Sequence, residues 1–254
     1  PKSFWYKVYE PIIRKAAGFG AASIEHDKEK YEHKYEYCDL LITGSGPSGL
    51  ASAYAAAKNG AKVILAEDKS RFGGSLLTSE VTIGNQSGQE WAEKIISELK
   101  SMPNVVVKNR SQVFGYYDHN MLVMSERISD HLPKTEKYIP KQRLWYIRAK
   151  EVIISSGSIE RPLVFGNNDT PGVMLASAAK EYMKVYGVLV GKKPIVFTNN
   201  DSGYETAIEF KKNGINPLVV DIRKNSGSAI IKEAENLNIN IHFSSGVVNV
   251  KGYS

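Results

Sequence analysis

Gly44, Gly46 and Gly49 stand in the segment Leu40-Leu-Ile-Thr-Gly-Ser-Gly-Pro-Ser-Gly49, and Glu67 follows 23 positions after the first of them. Glycines at this G-x-G-x-x-G spacing do mechanical work when they lie between a strand and a helix. The first permits a tight turn, the second lets the backbone approach a pyrophosphate, and the third lets the helix pack closely on the strand. Pro47 suits the first turn of the helix, whose free N–H groups and positive dipole end then face the phosphates across Ser45 and Ser48. An acid about 20 residues further on accepts hydrogen bonds from ribose hydroxyls, and its charge disfavours a 2′-phosphate. The implied chemistry is the binding of an adenine dinucleotide, either NAD or FAD, with NADP disfavoured.

Other segments supply candidate contacts. Arg71-Phe-Gly-Gly74-Ser-Leu-Leu follows the acid, and its glycines let a loop pass close to the same pyrophosphate, so Arg71, Gly73, Gly74 and Ser75 join the candidate set with Asp68. Ile153-Ile-Ser-Ser-Gly157-Ser-Ile-Glu-Arg-Pro162 is a strand running into a glycine turn, which brings in Ser156 and Gly157; Val113 and Phe114, in the β-rich stretch that follows the third strand, complete the set. No catalytic residue is expected. The five histidines show no metal-ligand spacing, and no Ser/His/Asp or Cys/His arrangement is legible, so no metal is expected either. Cys38, the single cysteine, excludes a dithiol mechanism within the chain and reads as a small buried hydrophobe, while Trp5, Trp91 and Trp145 read as core or interface aromatics.

These residues need particular elements to position them. A packing arm with helical spacing (Ser3 to Gly18) and a charged, solvated stretch (His26 to Glu36) lead to a strand at Leu40–Thr43. An alanine-rich helix to Lys58, an Asn59-Gly60 stop and a strand at Lys62–Ala66 make a βαβ unit, extended by a helix at Ser87–Leu99 and a strand at Val105–Lys108. From Gln112 to Arg148 short β-rich pieces (QVFGYY, MLVMS, RLWYIRA) predict an antiparallel meander laid across the sheet, and Glu151–Ser155 returns to the core. After Pro162 the cycle repeats: strand Ile195–Thr198, helix Ser202–Lys212, strand Leu218–Ile222, helix Ala229–Leu237, strand Asn240–Phe243, then the start of a second meander at Val247–Lys251. The fold class is α/β: a Rossmann-like dinucleotide-binding domain with a β-meander, followed by a second, incomplete Rossmann-like repeat. The expected divisions are an arm and linker at 1–37, the dinucleotide-binding domain at 38–162 and the degenerate, truncated repeat at 163–254. The chain opens on Pro1 and stops at Ser254 directly after a strand-like run, which is the ground for expecting truncation.

The second repeat differs from the first where it matters. It reads Phe197-Thr-Asn-Asn-Asp-Ser-Gly203, and side chains at Thr198, Asn199 and Asn200 would crowd a pyrophosphate, so no dinucleotide is expected there and Asp201-Ser202 reads as a helix N-cap. Composition bounds the rest. A chain of 254 residues, 42% hydrophobic and 24% charged, is ordinary globular material. Its net charge of +6 is interleaved (His26 to Glu36 reads HDKEKYEHKYE) instead of forming a basic stripe, so nucleic acid is not expected as partner. No run approaches the roughly 18 to 20 consecutive apolar residues of a bilayer span and no signal-peptide pattern is legible, so a membrane is not expected and the location is expected to be cytoplasmic.

The order of parts resembles the two-dinucleotide flavoprotein reductases. Phe165-Gly-Asn-Asn-Asp-Thr-Pro-Gly-Val-Met-Leu-Ala176, Tyr186-Gly-Val, Val196-Phe-Thr-Asn-Asn-Asp-Ser-Gly-Tyr204 and the stretch Phe4 to Gly20 with its YEPIIRKAAGFG resemble, more specifically, the α subunit of heterotetrameric sarcosine oxidase. That resemblance implies a complex with β, γ and δ subunits that demethylates sarcosine oxidatively and passes the one-carbon unit to tetrahydrofolate. It implies NAD in the first glycine site, FMN shared with a partner subunit, sarcosine oxidation on the β subunit, and folate bound in a C-terminal region that this sequence does not include. An FAD-dependent pyridine-nucleotide oxidoreductase, a related amine or opine dehydrogenase subunit and a non-catalytic nucleotide-holding module are the alternatives. The missing redox cysteines and the crowded second turn count against a free-standing reductase.

Overall fold

A computed structural model describes residues 2–18, 20, 24–133 and 138–252; Pro1 and Ser254, on which the expectations about the chain's ends rest, lie outside the described residues, as does Phe19 of the YEPIIRKAAGFG segment. The apolar run at Leu40–Thr43 is the end of a much longer strand, β1 (Tyr31–Thr43). The sequence reading placed Tyr31 to Glu36 in a charged lead-in. In the strand its charges sit on alternate residues and find partners, Glu32 with Arg143 at 2.8 Å and Glu36 with Lys62 at 2.8 Å, while tyrosines with high strand propensity occupy the other face.

The chain then runs through α1 (Pro47–Lys58), β2 (Val63–Ala66), a short 3-10 turn at Gly74–Leu77, α2 (Gly88–Ser101), β3 (Val105–Lys108), β4 (Ser111–Tyr117), β5 (Met121–Arg127) and β6 (Gln142–Ile154). Asn59 caps α1, and Gly60 leaves it at φ +85°. Ser87 opens α2 with a reciprocal capping box: its hydroxyl accepts from the Glu90 N–H, and the Glu90 carboxylate accepts from the Ser87 N–H at 2.8 Å. The six strands form one sheet in the order β3-β2-β1-β6-β5-β4. β1 to β3 and β6 are mutually parallel neighbours, while β4 and β5 complete the sheet antiparallel.

This corrects the expected meander in one respect. RLWYIRA and the returning Glu151 to Ile154 are one continuous strand, hydrogen-bonded to β1 from Tyr31↔Gln142 to Thr43↔Ile154, so the meander joins the parallel sheet edge to edge. The combined sheet buries two separate clusters. Leu50, Ala53 and Ala57 of α1 and Ala92, Ile95, Ile96 and Leu99 of α2 cover Ile42, Val63 and Leu65 on one face. On the other, Leu122, Met124, Trp145 and Ile147 close over Cys38, Leu41 and Ile64.

The second unit comprises α3 (Ala176–Tyr186), β7 (Ile195–Thr198), α4 (Ser202–Lys212), β8 (Leu218–Asp221), α5 (Ala229–Asn236) and β9 (Asn240–His242), with a parallel sheet ordered β9-β8-β7. Its core is Tyr204, Ala207, Phe210, Val219 and Ile231. α3 has no counterpart in the sequence reading; it buries Ala179 and Met183 and ends on Gly187 at φ +66°. Val247–Lys251 forms no strand: Asn249 makes only an isolated parallel bridge with Gly166. Glu80 of the first unit ties the two together, accepting from Lys184 at 3.3 Å and Lys212 at 2.6 Å, beside a Lys69–Glu181 pair at 2.7 Å.

The arm is helical as expected, in pieces at Lys2–Phe4, Trp5–Tyr9 (a π turn) and Glu10–Ala16, but it buries none of its residues. It is therefore no packing arm among the described residues. Phe4, Trp5, Tyr6, Ile12 and Ile13 are exposed, and the aromatic rings meet one another, Phe4 and Tyr9 at 5.6 Å.

Candidate functional site

β1 and α1 meet in the glycine turn. The Gly44 N–H donates to Ala66 O at 2.8 Å, and the residue turns at φ +96°, a conformation that side chains rarely adopt. A Cβ on Gly44 would also stand 2.3 Å from Ser155 O, because the Ser155 N–H donates to Thr43 O and brings the end of β6 onto the turn. A Cβ on Gly49 would lie 2.0 Å from Gly44 O. Both glycines are thus required by the protein's own packing.

Gly46 differs. At φ −66° it is accessible to any residue, and a Cβ there would meet nothing within 4 Å. The chain leaves this space open at the N-terminus of α1, where Ser48 and Gly49 follow Pro47 with N–H groups that no preceding turn of the helix can satisfy. The loop after the acid closes one side: Gly73 and Gly74 have φ +123° and +54°, the Gly73 N–H donates to Ser45 O at 3.1 Å, and a Cβ on Gly74 would be 2.8 Å from Gly46 Cα. Open space above Gly46, flanked by backbone and an unsatisfied helix start, fits the pyrophosphate of an adenine dinucleotide. Arg71 and Ser75 sit exposed on the same loop.

Glu67 ends just after β2 and is buried, 6% exposed. Its Oε2 accepts from the Ser45 N–H at 2.9 Å and the Ser45 hydroxyl at 2.5 Å, and its Oε1 accepts from the Lys69 N–H at 3.0 Å. Burial pushes the carboxyl above its usual value, the Asp68 side chain adds to this, and the bonds from Ser45 and Lys69 pull against it. The Ser111 N–H donates to Glu67 O at 2.7 Å, so β4 starts beside the acid and carries half-buried Val113 and exposed Phe114 past it, with a register shift between Val113 and Gly115. Asp68 is exposed, its carbonyl held by Arg127 at 2.8 Å.

The glycine turn, the acid and the Gly73-Gly74 loop thus come together. Ser156 and Gly157 lie beyond the end of β6, both exposed, and Ser155 is the residue that touches Gly44. Sequence reasoning missed Ser155 and the Lys69 amide. Position was the only signal for either, since each follows directly from where a strand ends.

The turn of the second unit is filled by its own side chains. Thr198 Oγ1 donates to Asn200 O at 2.8 Å and would stand 2.6 Å from a Cβ on Gly203. Asp221 ends β8 as Glu67 follows β2, but its carboxylate accepts from the Tyr204 hydroxyl at 2.8 Å and from Arg223 Nη2 at 2.8 Å. Asp201 occupies the expected cap position of α4 without capping it: its carboxylate pairs with Arg223 at 3.0 Å, and the Asn200 side chain accepts from the Ser202 N–H at 2.9 Å instead. An Asx turn one residue earlier performs that task. Among the described residues no group of three or more His, Cys, Asp or Glu side chains is placed to hold a metal ion, and no helix is long and apolar enough to cross a membrane.

Against known proteins, residues 39–122 match the FAD dependent oxidoreductase family, a span that contains the glycine turn, the acid and the Gly73-Gly74 loop. The sarcosine oxidase subunit alpha of Rhizobium meliloti (strain 1021) is 45% identical over 228 residues, covering 89% of this chain and 23% of the relative. That of Corynebacterium sp. (strain P-1) is 34% identical over 236 residues, covering 92% of this chain and 24% of the relative. The chain therefore spans about a quarter of the length of these relatives. Among solved structures, L-proline dehydrogenase from P. horikoshii superposes with a TM-score of 0.60 at 21% identity, covering 92% of this chain and 40% of that one. The chain is a relative of the sarcosine oxidase α subunits over about nine-tenths of its length, built on the Rossmann-like α/β fold of the FAD-dependent oxidoreductases.

Proposed function

We propose that this chain is the dinucleotide-binding part of an oxidoreductase subunit of the sarcosine oxidase α kind, and that it holds an adenine dinucleotide by its ADP half. The observation that carries this is Gly46: Gly44, Gly49 and Gly74 are each demanded by a protein atom under 3 Å from where a Cβ would stand, whereas nothing in the protein requires Gly46 to lack a side chain. In this reading the N–H groups of Ser48 and Gly49 and the backbone of Gly73 and Gly74 face the pyrophosphate, and Glu67 accepts from a ribose hydroxyl. Ser45, Pro47, Asp68, Arg71, Ser75, Val113, Phe114, Ser156 and Gly157 border the same space. A nicotinamide or flavin at the far end of the dinucleotide would supply two-electron chemistry. What this chain's own residues do is bind and orient the ADP half.

The resemblance to sarcosine oxidase α subunits supports NAD as the dinucleotide. A flavin is the second reading, favoured by the match of residues 39–122 to an FAD-dependent family. The proposed complex has β, γ and δ partners, is cytoplasmic, shares FMN between subunits, and demethylates sarcosine to glycine with one-carbon transfer to tetrahydrofolate, using regions outside this chain for the chemistry. The proposed units are the arm and linker (1–37), the dinucleotide domain (38–162) and the second unit (163–254), with the first boundary moved back to Tyr31 because β1 belongs whole to the first sheet.

The test is to denature the purified chain and identify the released nucleotide by mass spectrometry and visible absorbance. A colourless protein releasing NAD supports the first reading, and a yellow protein releasing FAD the second. No nucleotide released and no heat of binding on titration with NAD or FAD would sink both.

A further inference from the structure

Within the dinucleotide reading just given, we infer that Ser45 is a positioning residue that holds the Glu67 carboxylate in the one setting from which it can select for a ribose. The backbone of Ser45 bonds to Glu67 and to Gly73, which any residue's backbone could do, so the turn itself does not call for the hydroxyl. Its side chain is fully buried and spans two parts of the site. The hydroxyl donates to Glu67 Oε2 at 2.5 Å and accepts, at 3.3 Å, from the Gly73 N–H, which also donates to the Ser45 carbonyl at 3.1 Å.

The acceptor arithmetic gives this arrangement its consequence. An ionised carboxylate offers about two acceptor positions on each oxygen. Oε2 uses both on Ser45, through its N–H and its hydroxyl, while Oε1 uses one on the Lys69 N–H. These three bonds fix the carboxylate in rotation, and the Asp68 side chain bears on it as well, so what it presents to a hydroxyl is the remaining part of Oε1. Without the Ser45 hydroxyl, Oε2 regains a position and one of the three bonds that fix the rotation is gone. The buried setting raises the stakes, since a charged hydrogen bond is stronger and an unmet one costlier away from water. The same hydroxyl steadies the Gly73 amide, so the acid and the phosphate-side loop are set by one side chain.

The experiment is calorimetric titration of the chain with ADP-ribose and with its analogue lacking both hydroxyls of the adenosine ribose, for wild type, Ser45→Ala, Glu67→Gln and the double variant. Wild type is expected to prefer ADP-ribose by about tenfold, the worth of one hydrogen bond to a charged group. Ser45→Ala should reduce that preference to about twofold or less, and should have no further effect on it in the Glu67→Gln background, as expected of two residues acting as one unit. The acid limb of the ADP-ribose affinity profile should move to higher pH in Ser45→Ala, because burial and the Asp68 side chain, both of which push the Glu67 carboxyl up, are kept while the hydroxyl that draws it down beside the Ser45 and Lys69 N–H groups is lost. A general loosening of the fold would weaken both probes alike and leave their ratio unchanged. A ratio that stays near tenfold in Ser45→Ala overturns the positioning role and leaves the dinucleotide reading standing. Failure of wild type to bind either probe removes the reading and the inference with it. If Ser45→Ala does not fold, Ser45→Cys, close in size with a weak donor, makes the same comparison.

Discussion

Gly46→Ala separates what the fold needs from what the ligand needs. The backbone at Gly46 has φ −66°, and the added methyl would meet no atom within 4 Å. Replacing a glycine where alanine fits stabilises by about 0.4–1 kcal/mol through the unfolded chain. Gly46 is also the N-cap of α1, where alanine is less favourable than glycine by a comparable amount, so the two effects offset to within about 0.5 kcal/mol. For a chain of this size that is a shift in Tm of about 2 °C or less. With dinucleotide present the outcome differs, since the methyl takes the space that the pyrophosphate would use. Forcing one extra carbon into a packed contact costs about 1–3 kcal/mol, or about 5- to 150-fold in Kd. Wild type at a ligand concentration about 100 times its Kd gains about 2.7 kcal/mol, equivalent to about 5–10 °C. The assay is thermal unfolding followed by circular dichroism with and without NAD or FAD, with Kd from calorimetry. The expected result is unchanged melting without ligand and loss of between about a third and about nine-tenths of the ligand-induced shift. A variant that melts several degrees lower without ligand, or one that binds as tightly as wild type, would refute the reasoning.

Gly49→Ala should behave in the opposite way, because its Cβ would stand 2.0 Å from the backbone oxygen of Gly44 and 3.3 Å from Ser155 Cβ; a loss of at least about 3 kcal/mol in urea unfolding is expected, and a loss under about 1 kcal/mol would contradict the packing described. Glu126 is held below its ordinary carboxyl value: burial pushes it up, but hydrogen bonds from Lys108 and Trp145 and the charges of Lys108 and Arg143 outweigh that. A lowered carboxyl contributes stability that is present above the unfolded value and lost as pH falls through the folded one. Glu126→Gln should therefore be less stable than wild type at pH 6 and lose less between pH 5 and pH 3, and parallel pH profiles of the urea midpoint would count against this. Cys38 is fully buried, and burial pushes its thiol up to about 11, so at pH 8 a thiol reagent should label the native chain at least about a hundredfold more slowly than the urea-unfolded chain. Equal rates would show that β1 opens readily at that point.

Local chemistry carried much of the architecture. The βαβ unit, the capped helix from Ser87, the strand at Val105–Lys108 and the second cycle were legible because each is written in contiguous residues: an apolar run, a 3.6-residue period, a Ser/Glu capping pair, an Asn-Gly stop. The length of β1 was not legible, since Tyr31 to Glu36 reads as a solvated charge run until Arg143 and Lys62 arrive from elsewhere to pair its glutamates. α3 was likewise missed, as its short Ala-Ser-Ala-Ala stretch earns its helix by docking Ala179 and Met183 on the second core.

The site divides along the same line. Residue type and spacing determined that the chain has a glycine turn, a following acid and a second glycine pair, because tight turns and close backbone approaches leave so few choices of residue. Only the tertiary structure decided what each glycine is for. Gly44 and Gly49 answer to Ser155 and to each other across distances that no sequence spacing encodes, while Gly46 is left open. The tertiary structure alone also joins Ser45 to Glu67, 22 positions apart, and occupies the second unit's Asp221 with Tyr204 and Arg223. A hydrogen bond depends on where two strands end relative to each other, and that is set by the packing of the whole sheet.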